Sequence, residues 1–406
     1  MKKHKFVTIC MILVLICMCV GEKEPSPSTL PTSTQSVTTE APTTSEATTA
    51  PPTTTSAPPT ATPPSTTTPT PPTTTPIPTT TEPPKKQIED NMLIGTYYYP
   101  WYDRNRHWQE GYKGDPVLGK YSSRDQSVIS KHIEWACEYG IDFFLMSWWG
   151  PQSWEDITIK NYFLKSKDID YIKFAILYET VGRLKVDVNG RINFDNPNNK
   201  LQLINDFKYL CNTYFDNDHY LKVDGKPVVF IYLARIFYGD YEGAISELRS
   251  EIRKEGYELY LIGDQVYWQS PYNEREKDLM IQFDAVTAYN MHASVQDIDK
   301  DFVKKVSEKY KEWSEVANDL HIDFIPDVMP GFDDTGVRPE ARHPIIRRSI
   351  NRFREFCEKA RKYLSERNMI LITSWNEWHE YTQIEPDSTY RESYLKVIKE
   401  MLANYR

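Results

Sequence analysis

The stretch MILITSWNEWHEYTQIEPD, Met369 to Asp387, decides the reading of this chain. Its first six residues, Met369–Ser374, form an apolar run of strand length. The run ends abruptly in Trp375-Asn376-Glu377-Trp378-His379-Glu380, a cluster of aromatic, amide and acidic side chains. An apolar strand that delivers polar chemistry at its C-terminal end is the pattern of a parallel sheet whose loops carry the site.

Working outward, the same pattern recurs. Strand-like runs are expected at Met92–Tyr99, Asp142–Trp149, Lys173–Glu179, Pro227–Tyr232, Leu259–Gly263, Ala285–Tyr289 and Asp323–Val328. Amphipathic stretches separate them, among them Asp125–Tyr139, Leu201–Tyr214, Tyr241–Glu255, Asp301–Asn318 and Pro344–Glu366. Eight βα units with near-continuous apolar strands predict an α/β fold, a closed (β/α)8 TIM barrel. An open doubly wound sheet is the runner-up. It would usually carry a Gly-rich phosphate loop after an early strand, and the sequence has none.

Upstream of the barrel the composition changes. Residues 1–21 read as a signal peptide or membrane anchor, with a basic start and the apolar run Phe6–Val20, shorter than a normal membrane span. Cys17 or Cys19 stands where a loosely matched lipobox would be lipidated. Residues 22–86 are rich in Thr, Pro and Ser and are expected to form a disordered stalk, because so few apolar side chains cannot offset the entropy of ordering. In polyproline II at ~3.1 Å per residue such a stalk reaches up to roughly 190 Å. It is either an O-glycosylated, mucin-like segment or an unmodified linker. Residues 87–406 are then the catalytic domain, held at the cell surface in an extracytoplasmic location with the membrane as partner of the anchor.

The 406 residues carry a formal net charge of -9, and the short cluster Lys2, Lys3, His4 and Lys5 is the nearest thing to a basic stripe, so nucleic acid is not an expected partner. Of six cysteines, Cys137, Cys211 and Cys357 lie in the main domain. An odd trio without short spacings is neither a disulfide framework nor a zinc site, and all three read as buried thiols.

Barrel geometry puts functional groups at strand C-termini. Reading those positions gives Tyr97, Tyr99, Trp101, Trp148, Trp149, Glu179, Tyr289 and His292, then Asn376, Trp378 and His379 beside the two glutamates. Any single strand-end aromatic is more often structural, closing the barrel mouth. The clustering of Tyr97–Tyr102 with Trp148 and Trp149 favours a glycan cleft, since sugars offer C–H faces to rings and hydroxyls to carboxylates. Glu377 and Glu380, three apart, share one face of a helical turn. Two nearby acids raise the pKa of at least one, as a general acid requires. The ordinary explanation of such a pair is a solvated acidic turn, but solvated turns rarely carry interleaved tryptophans. His379-Glu380 opens a zinc-type H-E-x-x-H pattern, yet Gln383 stands where the second histidine is needed.

The run Trp375–Glu380, continued by Thr382-Gln383-Ile384-Glu385-Pro386, closely resembles the terminal motif of glycoside hydrolase family 99, the endo-α-1,2-mannosidases and endomannanases, with relatives among polysaccharide-biosynthesis proteins. Tyr97–Tyr102, Pro116-Val117-Leu118-Gly119, Ser147-Trp148-Trp149-Gly150, Asp224-Gly225-Lys226-Pro227-Val228 and Pro330-Gly331-Phe332-Asp333-Asp334 continue the match in order. The resemblance implies a retaining endo-glycosidase that uses neither metal nor cofactor, acting on an oligosaccharide or polysaccharide of α-mannoside type. It implies Glu377 as the base on the sugar's own 2-hydroxyl, through a 1,2-anhydro sugar, and Glu380 as the acid on the departing oxygen. Glu179 would hold substrate hydroxyls, with Tyr97, Trp149, Tyr289 and His292 as subsite contacts. The family usually has glycine after the His-Glu pair. This chain has Tyr381, which is expected to narrow a subsite or add stacking. A glycan-binding surface protein without catalysis, and a glycosyltransferase-like processing enzyme, are the alternatives.

Overall fold

The computed structural model describes residues 92–109, 111–292 and 298–405. The expected leader, the lipidation candidates Cys17 and Cys19, and the stalk lie outside the described residues. Among the described residues, eight parallel strands alternate with eight helices of seven residues or more: β1 (Leu93–Tyr98), α1 (Gln126–Tyr139), β2 (Phe143–Trp148), α2 (Trp154–Asn161), β3 (Lys173–Tyr178), α3 (Pro197–Leu210), β4 (Lys226–Ile231), α4 (Tyr241–Lys254), β5 (Tyr260–Asp264), α5 (Glu274–Met280), β6 (Ala285–Thr287), α6 (Ile298–Asp319), β7 (Asp323–Ile325, resumed at Asp327–Val328), α7 (Ile350–Ala360), β8 (Met369–Ile372) and α8 (Ser393–Met401).

The ring closes at β7. Its first half pairs with β6, in the register Asp323 to Ala285, and its second half pairs with β8, Asp327 to Leu371. Pro326 separates the halves because it brings no N–H to the ladder, while its carbonyl still accepts from Leu371 N–H at 3.0 Å. β1 pairs with both β8 and β2, so the first and last strands are neighbours.

The strand residues sort by parity into two buried clusters. Tyr97, Phe143, Leu145, Ala175, Leu177, Val228, Phe230, Ile262, Ile325 and Leu371 fill the barrel interior. Tyr98, Phe144, Met146, Phe174, Ile176, Val229 and Ile370 face outward onto the helices and meet Ile133, Phe207, Leu248, Trp313 and Phe356. Gly95 lies on the inner face because a Cβ there would stand 2.2 Å from the Phe143 ring. Helix starts follow the sequence: the Asp125, Ser153, Asn196, Asp240, Asn273 and Ser349 side chains each cap a first turn.

The eight expected strands match the observed ones to within a few residues. α2, α5 and α8, short helices of nine residues or fewer, were not among the expected helices. Cys211 and Cys357 are buried free thiols, whereas Cys137 is only half-buried, on the flank of α1 rather than under it.

Candidate active site

β8 runs out through a cis Thr373–Ser374 peptide, and residues 375–387 then cross the C-terminal mouth of the barrel. β1 continues past its ladder, and the Asn376 side chain completes its pairing: Oδ1 accepts from Tyr99 N–H at 2.7 Å, and Nδ2 donates to the Tyr99 carbonyl at 3.1 Å. Trp375 N–H donates to the Tyr97 carbonyl at 2.7 Å. Ser374 Oγ accepts from Glu377 N–H at 2.8 Å. These bonds place Glu377 and Glu380 on a turn anchored to the first strand.

A second layer supports this turn from behind. The buried Glu385 carboxylate accepts from Tyr121 OH at 2.7 Å and from Trp378 Nε1 at 3.1 Å, and lies 3.1 Å from His132 Nε2. The buried Arg348 guanidinium donates to the carbonyls of Tyr381 (3.1 Å) and Gln383 (2.8 Å). It also lies 4.6, 5.0 and 4.6 Å from the ring centres of Tyr381, Tyr390 and Tyr394. Tyr381 takes a left-handed backbone (φ 57°), the conformation that glycine adopts without strain. Its ring packs on the Arg348 guanidinium.

Glu380 receives three donors. Its Oε2 accepts from Tyr289 OH (3.0 Å) and Asn290 Nδ2 (3.1 Å), and its Oε1 from Arg338 Nη1 (2.9 Å). The Asn290 amide orientation is fixed independently, since its Oδ1 accepts from the His292 backbone N–H at 2.9 Å. Burial alone would lower the Arg338 pKa, but the Glu380 and Asp334 carboxylates hold it well above its ordinary range. Asp334 in turn lies 2.7 Å from His343 Nδ1. Tyr99 OH donates to Tyr289 OH at 2.7 Å, linking the first strand's end to this group.

Glu377 is buried, and burial pushes its carboxyl pKa up, with the Glu380 charge adding to the rise and contact with His379 opposing it. Glu179, at the end of β3, accepts from Ser147 Oγ at 2.7 Å. Burial, reinforced by the charges of Glu377 and Glu380 and opposed by the serine bond, pushes it up to about 8. Three carboxyl groups thus converge on one mouth, a convergence that perturbs proton affinities as acid–base chemistry requires.

Trp101 and Trp149 are half-buried at this mouth, their ring centres 6.4 Å apart. Tyr99 and Tyr289 flank the carboxylates, and Tyr97 forms the floor, edge-on to Tyr289 at 4.9 Å; His292 stacks on Phe332 at 4.3 Å and meets the Asn290 side chain rather than a carboxylate. Three expected ligand contacts are corrected. Trp148 is wholly buried on the outward parity of β2, donating to Asp156 at 2.9 Å against the helices. Trp378 is wholly buried against Trp108 and Glu385. Asn376 spends its amide on Tyr99 and Tyr121. Each shapes the site without facing it. His379 contacts Glu377 and the His107 backbone. Arg338 and His107 escaped sequence reasoning; both sit on loops, ten and nine residues past the ends of β7 and β1, a distance over which strand position predicts nothing.

A closed (β/α)8 barrel with converging carboxyl groups and an aromatic wall at its C-terminal mouth defines a glycoside hydrolase-type barrel. The chain belongs to the family described as Glycosyltransferase WbsX, whose model matches residues 105–398. Among curated proteins it is similar to a glycoprotein endo-alpha-1,2-mannosidase-like protein of Mus musculus, 23% identical, with 79% of this chain and 76% of that one aligned. It is also similar to the glycoprotein endo-alpha-1,2-mannosidase of Rattus norvegicus, 24% identical over 75% of this chain and 71% of that one. Among solved structures, a glycoside hydrolase-like protein matches with a TM-score of 0.65 at 24% identity, covering 79% of this chain and 96% of that one. The GH99 endo-alpha-mannosidase from Bacteroides thetaiotaomicron matches with a TM-score of 0.60 at 20% identity, covering 79% and 98%. The likeness read from the motif therefore extends over the whole barrel.

Proposed function

We propose that the protein is a retaining, endo-acting glycoside hydrolase that cleaves α-mannoside-like glycans from a surface-tethered position. The observation that carries the reading is the pairing of Glu377 and Glu380 on one anchored turn, beside an aromatic wall. The names of the mouse and rat relatives, an endo-α-1,2-mannosidase-like protein and an endo-α-1,2-mannosidase, support the substrate class. The apolar leader and the Thr/Pro-rich segment support the tether.

In the first step Glu377 takes the proton of the sugar 2-hydroxyl. O2 attacks C1, the bond from C1 to the leaving oxygen breaks, and Glu380 gives that oxygen its proton. In the second step Glu380 takes a proton from water, the water oxygen bonds to C1 of the 1,2-anhydro sugar as the C1–O2 bond breaks, and O2 takes back its proton from Glu377. Two displacements at C1 leave the configuration retained, and both carboxyl groups return to their starting states. Glu179, which burial keeps neutral near pH 7, is suited to donate to a substrate oxygen without adding negative charge. Trp101 and Trp149 offer ring faces to neighbouring sugar units.

Digestion of a glycan array with mass-spectrometric analysis of products tests the reading. Glu377→Gln and Glu380→Gln are each expected to lower the rate by roughly a hundredfold or more. Near wild-type cleavage by either variant overturns the role assigned to that residue. The family's description as a glycosyltransferase favours a second reading. Product formation that requires a nucleotide sugar would select it, and glycan binding with no released sugar would select a non-catalytic surface protein.

A further inference from the structure

Two of the contacts His379 makes fix its protons. Nε2 lies 3.1 Å from the carbonyl oxygen of His107, which can only accept, so Nε2 carries a hydrogen. Nδ1 lies 3.0 Å from Glu377 Oε1, which also accepts from the His379 backbone N–H at 2.9 Å. Nδ1 and Glu377 therefore share a further proton, as an imidazolium–carboxylate pair or as neutral imidazole with carboxylic acid. The ring is held: it lies parallel to Tyr102 at 5.9 Å and meets His107 and Trp101 edge-on. His107 itself adopts a left-handed backbone (φ 68°) rare for a residue with a side chain, a local strain that aims its carbonyl at His379.

We propose that His379 is a positioning residue that keeps the general base Glu377 ionised, as its imidazolium partner, with the other ring N–H docked on the His107 carbonyl. The proposal rests on Glu377 acting as the base. In the first chemical step the Glu377–His379 pair goes from neutral to singly positive as it takes the hydroxyl proton.

The other titratable groups around Glu377 are Glu380 on the same turn, Glu179 from the end of β3, Tyr99 and Tyr102 from the end of β1, and Tyr289 from the end of β6. Burial holds all three tyrosines far above their ordinary range, hence neutral, and holds Glu179 up to about 8. His107, beside His379, is pushed down to about 2 by burial and by the His379 charge, hence neutral. His379 is thus the one cation in direct contact with Glu377 among the described residues.

The test is His379→Gln on an α-1,2-branched mannan, with kcat/KM followed across pH. Loss of a cation at hydrogen-bond distance raises the partner carboxyl by about 1–3 pH units. The acidic limb of kcat/KM is expected to move up by that amount, a loss of tenfold or more at low pH that largely recovers above the limb. A uniform fall with the limb in place overturns the proposal and leaves His379 merely structural. Glu377→Gln, run beside it, separates the two readings: an active Glu377→Gln sinks the base assignment itself, whereas an inactive one with an unmoved His379→Gln limb sinks only the pairing. Nitrogen-15 NMR of histidine-labelled protein gives a readout independent of substrate. The signals absent from His379→Gln are expected to show both ring nitrogens protonated at pH 7; a neutral-tautomer pair refutes the proposal.

Discussion

Replacing Arg348 by methionine removes the support behind the turn that carries Glu377 and Glu380 while leaving the side chains at the mouth chemically intact. The guanidinium is buried and makes two charge-assisted bonds to carbonyls of that turn, Tyr381 at 3.1 Å and Gln383 at 2.8 Å. Each such bond contributes about 1.5–3 kcal/mol. Methionine fills a similar volume and keeps the contact with Tyr381, Tyr390 and Tyr394, so packing is largely conserved. It leaves two buried carbonyls without donors and strips the buried Asp387 carboxylate of the cation 3.8 Å away. Breaking a buried ionic contact from one side costs about 3–5 kcal/mol, and that is the expected loss of stability. It is measured as the drop in urea midpoint at constant slope. Tyr381 directly follows Glu380, so the variant that remains folded should also cleave about a hundredfold more slowly, the usual cost of a shift of about 1 Å in a reacting group. Arg348→Lys keeps the charge but cannot reach both carbonyls, and should fall between the two. A stability loss below about 1 kcal/mol, or equal losses for lysine and methionine, would refute the view that the fork anchors the turn.

Two further outcomes follow from the geometry. Glu179 binds a proton in the folded state up to about pH 8 but in the unfolded chain only up to about its ordinary 4.5, so stability attributable to it falls as pH rises from 4.5 to 8 and is flat outside that window. Glu179→Gln removes that slope; urea unfolding at pH 5 and pH 8 should show the variant gaining on the wild type by ~1.4 kcal/mol per pH unit at most, and an unchanged pH dependence would count against a neutral buried acid. Gly336→Ala puts a Cβ 2.0 Å from the Gly111 carbonyl, where the loops after β1 and β7 touch. The loop after β7 must lift, carrying Arg338 off Glu380, so activity should fall while the barrel loses only about 1–3 kcal/mol by thermal unfolding; full activity would mean that the contact does not position Arg338.

The strands were legible because each is a short apolar run bounded by turn residues, and parity then separates inner from outer faces without further information. The break in β7 was half visible, since Pro326 stands in the middle of an otherwise plain strand. α2, α5 and α8 were missed because helices of seven to nine residues complete too few turns for a 3.6-residue period to emerge. At the mouth, Glu377, Glu380 and Glu179 could be nominated from strand-end position, but what each side chain does there depends on which way it points. Trp148 and Trp149 are adjacent in sequence and alike in chemistry, and only strand parity sends one to the helices and the other to the cleft. Arg338 and His107 carry no periodic or strand-end signal, because irregular loops bring them in from a distance.

The bonds from Asn376 to Tyr99 join residues 277 positions apart. Neither the turn bearing Glu377 and Glu380 nor its anchor on β1 exists until the eighth strand has docked beside the first, and contacts of that separation form late because a long loop must close before they contribute anything. A chain with seven strands in place would have most of its core and no organised pair of carboxylates. Catalytic competence in this barrel is therefore an all-or-none consequence of ring closure, and the first detectable cleavage would serve as a clock for the completion of folding.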